Sequence, residues 1–214
     1  MRVKKGEIQV QTLGMRGTKW NIFVTAIYLF AAKGCANVSI RDIAKATNIK
    51  AASIYNHFES KDALVKQIYD FCQQHFDNIT VNLDELIELV PDTHPQVIFE
   101  KYCSSFGDEI YGLGLYELMP KVIKIVLEEA AHDKRADKLA LKLYQHYPKR
   151  YLRPILEKMI ELDLIEPFDV DTFLLIYSGF ELSCSQVHGS KLAISGKNWR
   201  KCRALLFSLI RAKN

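Results

Sequence analysis

The sequence lacks the marks of several protein classes. Its five cysteines form no CxxC pair, so they indicate neither a zinc site nor a disulfide framework, and we expect reduced thiols and a cytoplasmic protein. No apolar run reaches the ~18 residues of a membrane-spanning helix. Glycine-rich phosphate loops, HExxH and GxSxG are also missing, which removes the motifs of common enzyme classes. We therefore expect no enzyme, no catalytic residues, no metal site and no cofactor.

Composition favours a helical protein with a basic N-terminal part. Hydrophobic residues make up 49% of the 214 residues, which is enough apolar surface for packed cores. We find no alternating strand pattern and no internal repeat. Residues 1–80 carry 11 lysines and arginines against six aspartates and glutamates, whereas residues 81–214 carry 18 against 19. The basic part is therefore the candidate for binding phosphate.

Residues 38–61, VSIRDIAKATNIKAASIYNHFESK, predict two short helices joined by a tight turn. Ser39 and Asp42 form a capping-box pattern, so the first helix should begin at residue 40. Asn48 tolerates the left-handed conformation that ends a helix and turns the chain sharply. Such a helix-turn-helix leaves one face of its second helix free to enter a DNA major groove. The apolar stripe shared by the two helices is Ile40, Ile43, Ala44, Thr47, Ile49, Ala51, Ile54 and Phe58.

The free face of the second helix carries side chains suited to DNA. When Ile54 points inward, Asn56 lies on the outer face, and its amide suits a paired contact with adenine. Tyr55 suits a phosphate oxygen, and Lys61 stands at a helix N-terminus, where phosphate binds readily. The alternative is that these are ordinary surface residues of a helical bundle. The candidates from this face and its flanks are Lys50, Ala52, Ser53, Tyr55, Asn56 and Lys61.

From about Thr18 to His75 the sequence resembles the TetR family of one-component transcriptional regulators. Ile43-Ala44, Ile49 and the run SIYNHFESKDAL at residues 53–64 are similar to the family's signature "IA…V…TLYxHFxSKEEL". The resemblance implies an all-α protein with an N-terminal three-helix DNA-binding domain containing a helix-turn-helix, followed by a helical ligand-binding and dimerisation domain. The matches at the end of the preceding helix are Ala26, Leu29, Phe30 and Gly34.

Carried over residue by residue, the resemblance implies six DNA contacts. The sequence departs from the family at Asn48 and Ala52, where glycine is usual, and at Ala51, where a basic residue is common. Asn56 replaces a commoner aromatic residue or histidine. These departures affect which bases are read and leave the binding mode intact. The six implied contacts are Ser39, Arg41, Ser53, Tyr55, His57 and Lys61.

The sequence predicts three segments. We expect residues 1–17 to be a flexible arm, with a minor-groove arm as the alternative. Residues 18–80 form the predicted DNA-binding domain, in which the first helix ends at Gly34 and a connector helix runs from Lys61 to about Asn78. Residues 81–214 form the predicted ligand-binding and dimerisation domain. Its helices are expected near residues 96–107, 115–131, 134–162, 170–188 and 198–211, interrupted at Pro120, Pro148 and Pro154.

Two further surfaces are implied for residues 81–214. The segment from Val170 to His188 is apolar nearly all round and must be covered on more than one side, which suits the four-helix dimer interface of the resembled family; a monomeric core is the alternative. Aromatic side chains between connector and interface suit a small apolar ligand. The predicted interface is Phe173, Tyr177, Phe180, Trp199, Cys202, Leu206 and Leu209. The predicted ligand contacts are Tyr102, Phe106, Tyr116, Met119, Tyr144, Tyr147 and Tyr177.

The leading hypothesis is a ligand-responsive, homodimeric repressor that leaves a pseudo-palindromic operator in double-stranded DNA when a small-molecule effector binds. Such release requires only that the effector bind two conformations with different affinity. A transcriptional activator or a ligand-independent regulator of the same fold is the first alternative. The others are a helix-turn-helix protein-interaction module and an enzyme with a helical pocket. The Ser53, Tyr55 and Lys61 face separates the leading hypothesis from a protein-interaction module, which would not need it.

Overall fold

The computed structural model describes residues 15–77, 83–102, 118–186 and 196–213. Over these residues the protein is all-helical, as predicted, apart from one isolated bridge between Ile165 and Ala212. The N-terminal helices are α1 (Gly17–Lys33), α2 (Ile40–Thr47), α3 (Ala51–Tyr55) and α4 (Lys61–Asp77). The remaining helices are α5 (Leu83–Leu89), α6 (95–102), α7 (Met119–Glu129), α8 (Lys134–Leu141), α9 (Tyr147–Tyr151), α10 (Arg153–Glu161), α11 (Val170–Gln186) and α12 (Gly196–Ser208).

Local signals in the sequence end and begin the N-terminal helices. α1 ends at Gly34, whose φ is 80° and whose N–H donates to the Phe30 carbonyl at 2.7 Å. α2 begins with the predicted capping box: the Asp42 N–H donates to the Ser39 hydroxyl at 3.2 Å, and the Ser39 N–H donates to the Asp42 carboxylate at 2.8 Å. Reciprocal bonds of this kind satisfy two helix N–H groups that otherwise lack partners.

The described residues form two compact units. The first comprises those within Met1–Asn78 and Glu109–Asp137, and the second those within Ile79–Asp108 and Lys138–Asn214. The sequence predicts a single boundary between residues 80 and 81. Packing groups α7 with the N-terminal helices instead, so these units and the predicted domains divide the chain differently. The predicted domains, and the 1–17 arm, remain predictions; residues 1–14 lie outside the described residues.

In the first unit, α1, α4 and α7 pack on one another. Phe23 of α1 meets Phe71 of α4 edge-on, with ring centroids 5.5 Å apart. α7 adds a cap to α1, since the Lys124 ammonium donates to the Ala31 carbonyl at 2.6 Å, where a cation also suits the negative end of the helix dipole. On α4 the buried side chains include Val65 and Tyr69 as well as Leu64, Ile68, Phe71, Cys72 and His75. α4 is therefore covered on two sides.

The second unit contains two of the three predicted proline interruptions. Pro148 and Pro154 lie in the first turns of α9 and α10, where the missing N–H costs least. A wide π-helical turn, Lys142–His146, precedes Pro148, because proline cannot donate to the carbonyl four residues back and its ring crowds that carbonyl. In α11, Leu174 and Tyr177 are buried. In the first unit, Pro120 occupies the first turn of α7 in the same way.

Candidate DNA-binding surface

The turn between α2 and α3 is built from the residues that the sequence singled out. Asn48 has φ 58° and ψ 43°, the left-handed conformation predicted for it. The next N–H, that of Ile49, donates to the Ala44 carbonyl at 3.0 Å. The Ser53 N–H then donates to the Lys50 carbonyl at 2.9 Å and starts α3. A non-glycine residue at positive φ accepts some strain, and here it closes the short link between the two helices.

The two faces of α3 differ sharply in exposure. Ile54 is fully buried, whereas Ala52, Tyr55 and Asn56 are exposed. Ser53 is half-buried between the two faces. The regular helix ends at Tyr55, and Asn56 follows as its C-cap with φ −69° and ψ −16°. The face of α3 that carries these side chains is therefore open to solvent and free to enter a DNA major groove.

The other predicted contacts lie on the elements beside α3. Arg41 and Lys50 are exposed, and Lys61 is half-buried in the first turn of α4. The Ser60 hydroxyl caps that turn by accepting from the Ala63 N–H at 3.0 Å. His57 is half-buried after α3, and its N–H donates to the Ile54 carbonyl at 2.9 Å. All these positions remain predicted contacts.

Hydrogen bonds from Ser39 favour the ionised form of Asp42, an acidic residue near this surface. The hydroxyl and N–H of Ser39 donate to Asp42 and hold the pKa of that carboxyl below its usual value. The Ser39 hydroxyl donates to the Asp42 carboxylate at 2.6 Å, so in this structure it serves as a helix cap, and its contact with DNA stays a prediction.

Sequence reasoning did not name Lys19, whose ammonium lies 5.3 Å from the centre of the Phe58 ring. Because the two residues are 39 positions apart, no local pattern announces that contact.

Comparison with known proteins identifies this helix-turn-helix. The family model described as bacterial regulatory proteins, tetR family, matches residues 22–68. Residues 22–68 belong to the TetR family. The matched residues contain α2, α3 and most of α1, together with the first turns of α4, and thus the whole exposed face described above.

Two curated relatives are HTH-type transcriptional regulators. IcaR of Staphylococcus aureus (strain Newman), the negative transcriptional regulator of the biofilm operon icaADBC, is 37% identical over 82 residues. That match covers 38% of this chain and 44% of IcaR, so it spans less than half of the relative's length. The transcriptional repressor KstR2 of Rhodococcus jostii (strain RHA1) is 39% identical over 57 residues, which cover 27% of this chain and 28% of the relative.

Solved structures share the fold of this chain over most of its length. The ketosteroid transcriptional regulator KstR2 of Mycobacterium tuberculosis has a TM-score of 0.67 at 18% identity, covering 93% of this chain and 97% of that one. A HlyIIR mutant protein has a TM-score of 0.60 at 20% identity, covering 92% and 96%. These likenesses concern the fold.

The predicted ligand contacts fall in both units. Met119 is buried in the first unit, whereas Tyr102, Tyr147 and Tyr177 are buried in the second, where Tyr144 is half-buried. Phe106 and Tyr116 lie outside the described residues. The Tyr147 ring stacks on Tyr151 with centroids 5.9 Å apart. These side chains serve as core, and their role toward a ligand stays a prediction.

The predicted dimer residues divide between core and surface. Tyr177 is buried, and its ring centroid lies 5.8 Å from that of Phe207. Phe173, Phe180 and Leu206 are half-buried, while Cys202 and Leu209 are exposed. The side chain of Trp199 lies outside the described residues. The exposed large apolar side chains of α11 and α12 that sequence reasoning did not name as interface are Leu175, Ile176 and Leu205.

Buried titratable groups in the first unit are kept neutral. Burial lowers the pKa of His75 to about 4 and raises the pKa of the Cys35 thiol to about 12, with Glu129 adding to that rise.

Among the described residues, no group of three or more His, Cys, Asp or Glu side chains is arranged to hold a metal ion. Within the same residues no helix is long and apolar enough to span a membrane.

Proposed function

We propose that this chain is a sequence-specific DNA-binding transcriptional regulator, a repressor that a small molecule releases from its operator. The observation that carries the proposal is the exposed face of α3, where Ala52, Tyr55 and Asn56 face solvent beside the basic residues Lys50 and Lys61. The TetR-family match covers that face. A regulator of this kind works on genomic DNA, so we place it in the cytoplasm, without catalytic activity.

Electrostatics and geometry divide the work on the proposed DNA site. Lysine, arginine and tyrosine contacts to phosphates position a protein on DNA without reading its sequence. Base edges in the major groove are read by side chains such as Asn56, which can pair with adenine. Small side chains such as Ala52 allow the helix close to those edges. Affinity is therefore expected to fall steeply with salt, while sequence preference depends on few residues.

We propose that the regulator acts as a homodimer through α11 and α12. Leu175 and Leu209 are each 69% exposed, Leu205 is 65% exposed and Ile176 is 55% exposed. Apolar side chains gathered on exposed helix faces mark interaction sites. A two-fold dimer would present two α3 helices to the half-sites of a pseudo-palindromic operator, about one helical turn apart.

Gly179 adds to the dimer proposal. It lies within α11 on the exposed side, four residues after Leu175. A glycine inside a helix costs about 1 kcal/mol relative to alanine. A Cβ atom at this position would meet nothing within 4 Å in the protomer, so packing within the chain does not require it. Close approach of a partner helix at this point would account for it.

We propose that the effector binds among the aromatic side chains of the second unit. Tyr102, Tyr147 and Tyr177 offer apolar rings with polar tips, the combination that small-molecule sites use. The effector must bind the DNA-free conformation more tightly than the DNA-bound one, since only differential affinity shifts the equilibrium. The aromatic rings favour a largely apolar effector.

The experiment is selection of DNA fragments from the source genome by the purified full chain at near-physiological salt, followed by sequencing. Enrichment of a short pseudo-palindrome supports a dimeric sequence-specific regulator, and reporter transcription from the enriched site then separates repressor from activator. Release by small molecules separates a ligand-responsive regulator from a ligand-independent one. Weak, salt-sensitive binding without sequence preference would contradict the proposal and favour a helix-turn-helix that binds protein.

A further inference from the structure

Arg135 bridges two acidic residues that belong to different parts of the first unit. Its Nη1 and Nη2 donate to the two carboxylate oxygens of Asp62, at 3.2 and 2.6 Å. Its Nε and Nη2 donate to Asp133, at 3.1 and 2.7 Å. Paired bonds from one guanidinium to a carboxylate fix geometry as well as charge. Asp62 lies in the first turn of α4, 73 residues before Arg135.

The same guanidinium also lies on α4 at a second point. Its central carbon is 5.7 Å from the centre of the Tyr69 ring. Asp62 and Tyr69 are seven residues apart, so they share one face of the helix. Tyr69 is buried, and a ring held in the core gives Arg135 a fixed surface to stack on. Arg135 therefore contacts α4 at one carboxylate in the first turn and at one ring about two turns further along the helix.

The first turn of α4, which Arg135 contacts through Asp62, directly follows the proposed DNA site. Asp62 comes next in sequence after Lys61, and only residues 56–60 separate α4 from α3. Moving the first turn of α4 would therefore move a phosphate contact and the C-terminal end of the recognition helix. On the other side, Arg135 stands at the start of α8, and the division between the two compact units falls after Asp137 in that helix.

We propose that Arg135 is a positioning residue for DNA binding, holding Asp62 so that Lys61 and α3 are set in the arrangement that fits DNA. This rests on the proposed function. Both partners are substantially exposed, 42% for the Arg135 side chain and 71% for that of Asp62, and exposed ion pairs contribute little to global stability. The contribution therefore lies in orientation, and it is read in DNA affinity.

Long-range charge is the competing explanation, and it makes opposite predictions. If only net charge mattered, Asp62→Asn would strengthen DNA binding, because it removes a negative charge beside the phosphates. Arg135→Lys would then bind like the wild type, because it keeps the positive charge. If Arg135 positions α4, Asp62→Asn weakens binding. Arg135→Lys also weakens it, because a lysine cannot make the paired bonds of a guanidinium.

The test is DNA affinity, at fixed salt, for the operator fragment found by selection. We expect Arg135→Gln, Arg135→Lys and Asp62→Asn each to weaken binding about threefold or more, and the Arg135→Gln, Asp62→Asn double variant to be no weaker than the single ones. The control is Lys66→Gln. Lys66 forms a 2.6 Å ion pair with Asp70 inside the same helix, and its loss should leave affinity nearly unchanged. Stronger binding by Asp62→Asn, or wild-type binding by Arg135→Lys, would overturn the proposal.

Amide hydrogen exchange of the free protein tests, without DNA, whether Arg135 holds the first turn of α4 in place. Exchange at residues 63–65, whose N–H groups are the first of α4 to be protected, should be faster in Arg135→Gln and in Asp62→Asn than in the wild type, and unchanged in Lys66→Gln. If the wild type selects no DNA sequence, the proposed function fails, while the exchange result still decides whether Arg135 holds α4. Unchanged exchange in both variants overturns the positioning role, whatever the DNA result.

Discussion

Phe207 of α12 stacks on Phe99 of α6, with ring centroids 4.4 Å apart and planes 14° from parallel. Its ring is almost fully buried, although α12 otherwise exposes most of its described side chains. It also contacts the rings of Tyr102 at 6.4 Å, Phe173 at 6.1 Å and Tyr177 at 5.8 Å. Aromatic pairs at these separations add to the stabilisation from burial. This cluster holds α12 against α6 and α11, the other helices of the second unit that contribute its rings.

Phe207→Ala should therefore lower the free energy of unfolding by about 3–5 kcal/mol, the usual cost of emptying a large aromatic site. Denaturant unfolding of the purified chain gives the value. Lys201→Ala, an exposed change in the same helix, should stay within about 0.5 kcal/mol of the wild type. A cost below about 1 kcal/mol for Phe207→Ala would show that the cluster does not anchor α12.

The parts of the fold that the sequence predicted well depend on interactions a few residues long. The Ser39 capping box joins residues three apart. Asn48 and Gly34 end their helices through their own backbone conformation. Each of these features is visible in a short window, because residue type and position alone determine it.

The features that the sequence did not reveal depend on distant segments. Val65 and Tyr69 are buried on α4, which packs against α7, a helix that begins more than 40 residues later. Phe207 is not among the residues predicted for the dimer interface, and its side chain in α12 is almost fully buried. The arginines and lysines of the middle segments have the spacing of ordinary solvent-exposed helix faces. No local pattern therefore predicts that Arg135 binds Asp62, which lies 73 residues earlier.

Ser39→Ala should lower the free energy of unfolding by about 1 kcal/mol, within the 0.5–2 kcal/mol that a lost N-cap costs. The reason is that the Asp42 N–H loses the hydroxyl that accepts its hydrogen bond. Thermal unfolding measures the effect. Ser39→Asp restores an acceptor and should recover most of the loss, so equal destabilisation by both changes would argue against capping as the cause.

His75 should make the protein less stable as the pH falls from 6.5 toward 4. Burial lowers its pKa from 6.5 to about 4 in the folded state, so in this window the unfolded chain takes up a proton that the folded chain does not. The free energy of unfolding then falls with pH, by roughly 3 kcal/mol at most. His75→Leu should flatten the profile measured by denaturant unfolding between pH 4 and 6.5, and the exposed control His132→Leu should not. An unchanged slope in His75→Leu would contradict this assignment.

Substitutions on the α3 face should separate affinity from specificity. Tyr55→Ala and Lys61→Ala remove phosphate contacts, so binding to all DNA sequences should weaken alike. Asn56→Ala should relax the preference at one base position by about 1–3 kcal/mol. Competition binding with a set of single-base operator variants measures both effects. Lys66→Ala, five residues further along α4, is the matched control for Lys61 because Lys66 is paired with Asp70 within the helix. Unchanged sequence preference in Asn56→Ala would show that another residue reads that base.

The exposed faces of α11 and α12 predict how the dimer can be broken. Leu175→Lys places a charge where a partner helix is expected to cover apolar surface, and a buried unpaired charge is costly. Gly179→Leu fills the space that close helix approach would need; in the lone protomer a side chain here meets nothing within 4 Å. Both changes should shift the chain to monomers in analytical ultracentrifugation and reduce operator binding while leaving the protomer folded.

Leu141→Lys provides the matched control for Leu175→Lys, since Leu141 is also an exposed leucine but lies in α8. It should leave the dimer intact. Loss of the dimer in Leu141→Lys alone would place the interface elsewhere. A wild-type chain that sediments as a monomer at micromolar concentration would leave Leu175, Ile176, Leu205 and Leu209 without a partner copy to cover them, and operator binding would then have to come from single half-sites. A single recognition helix would make about half the phosphate contacts, and the salt dependence of binding would be correspondingly shallower.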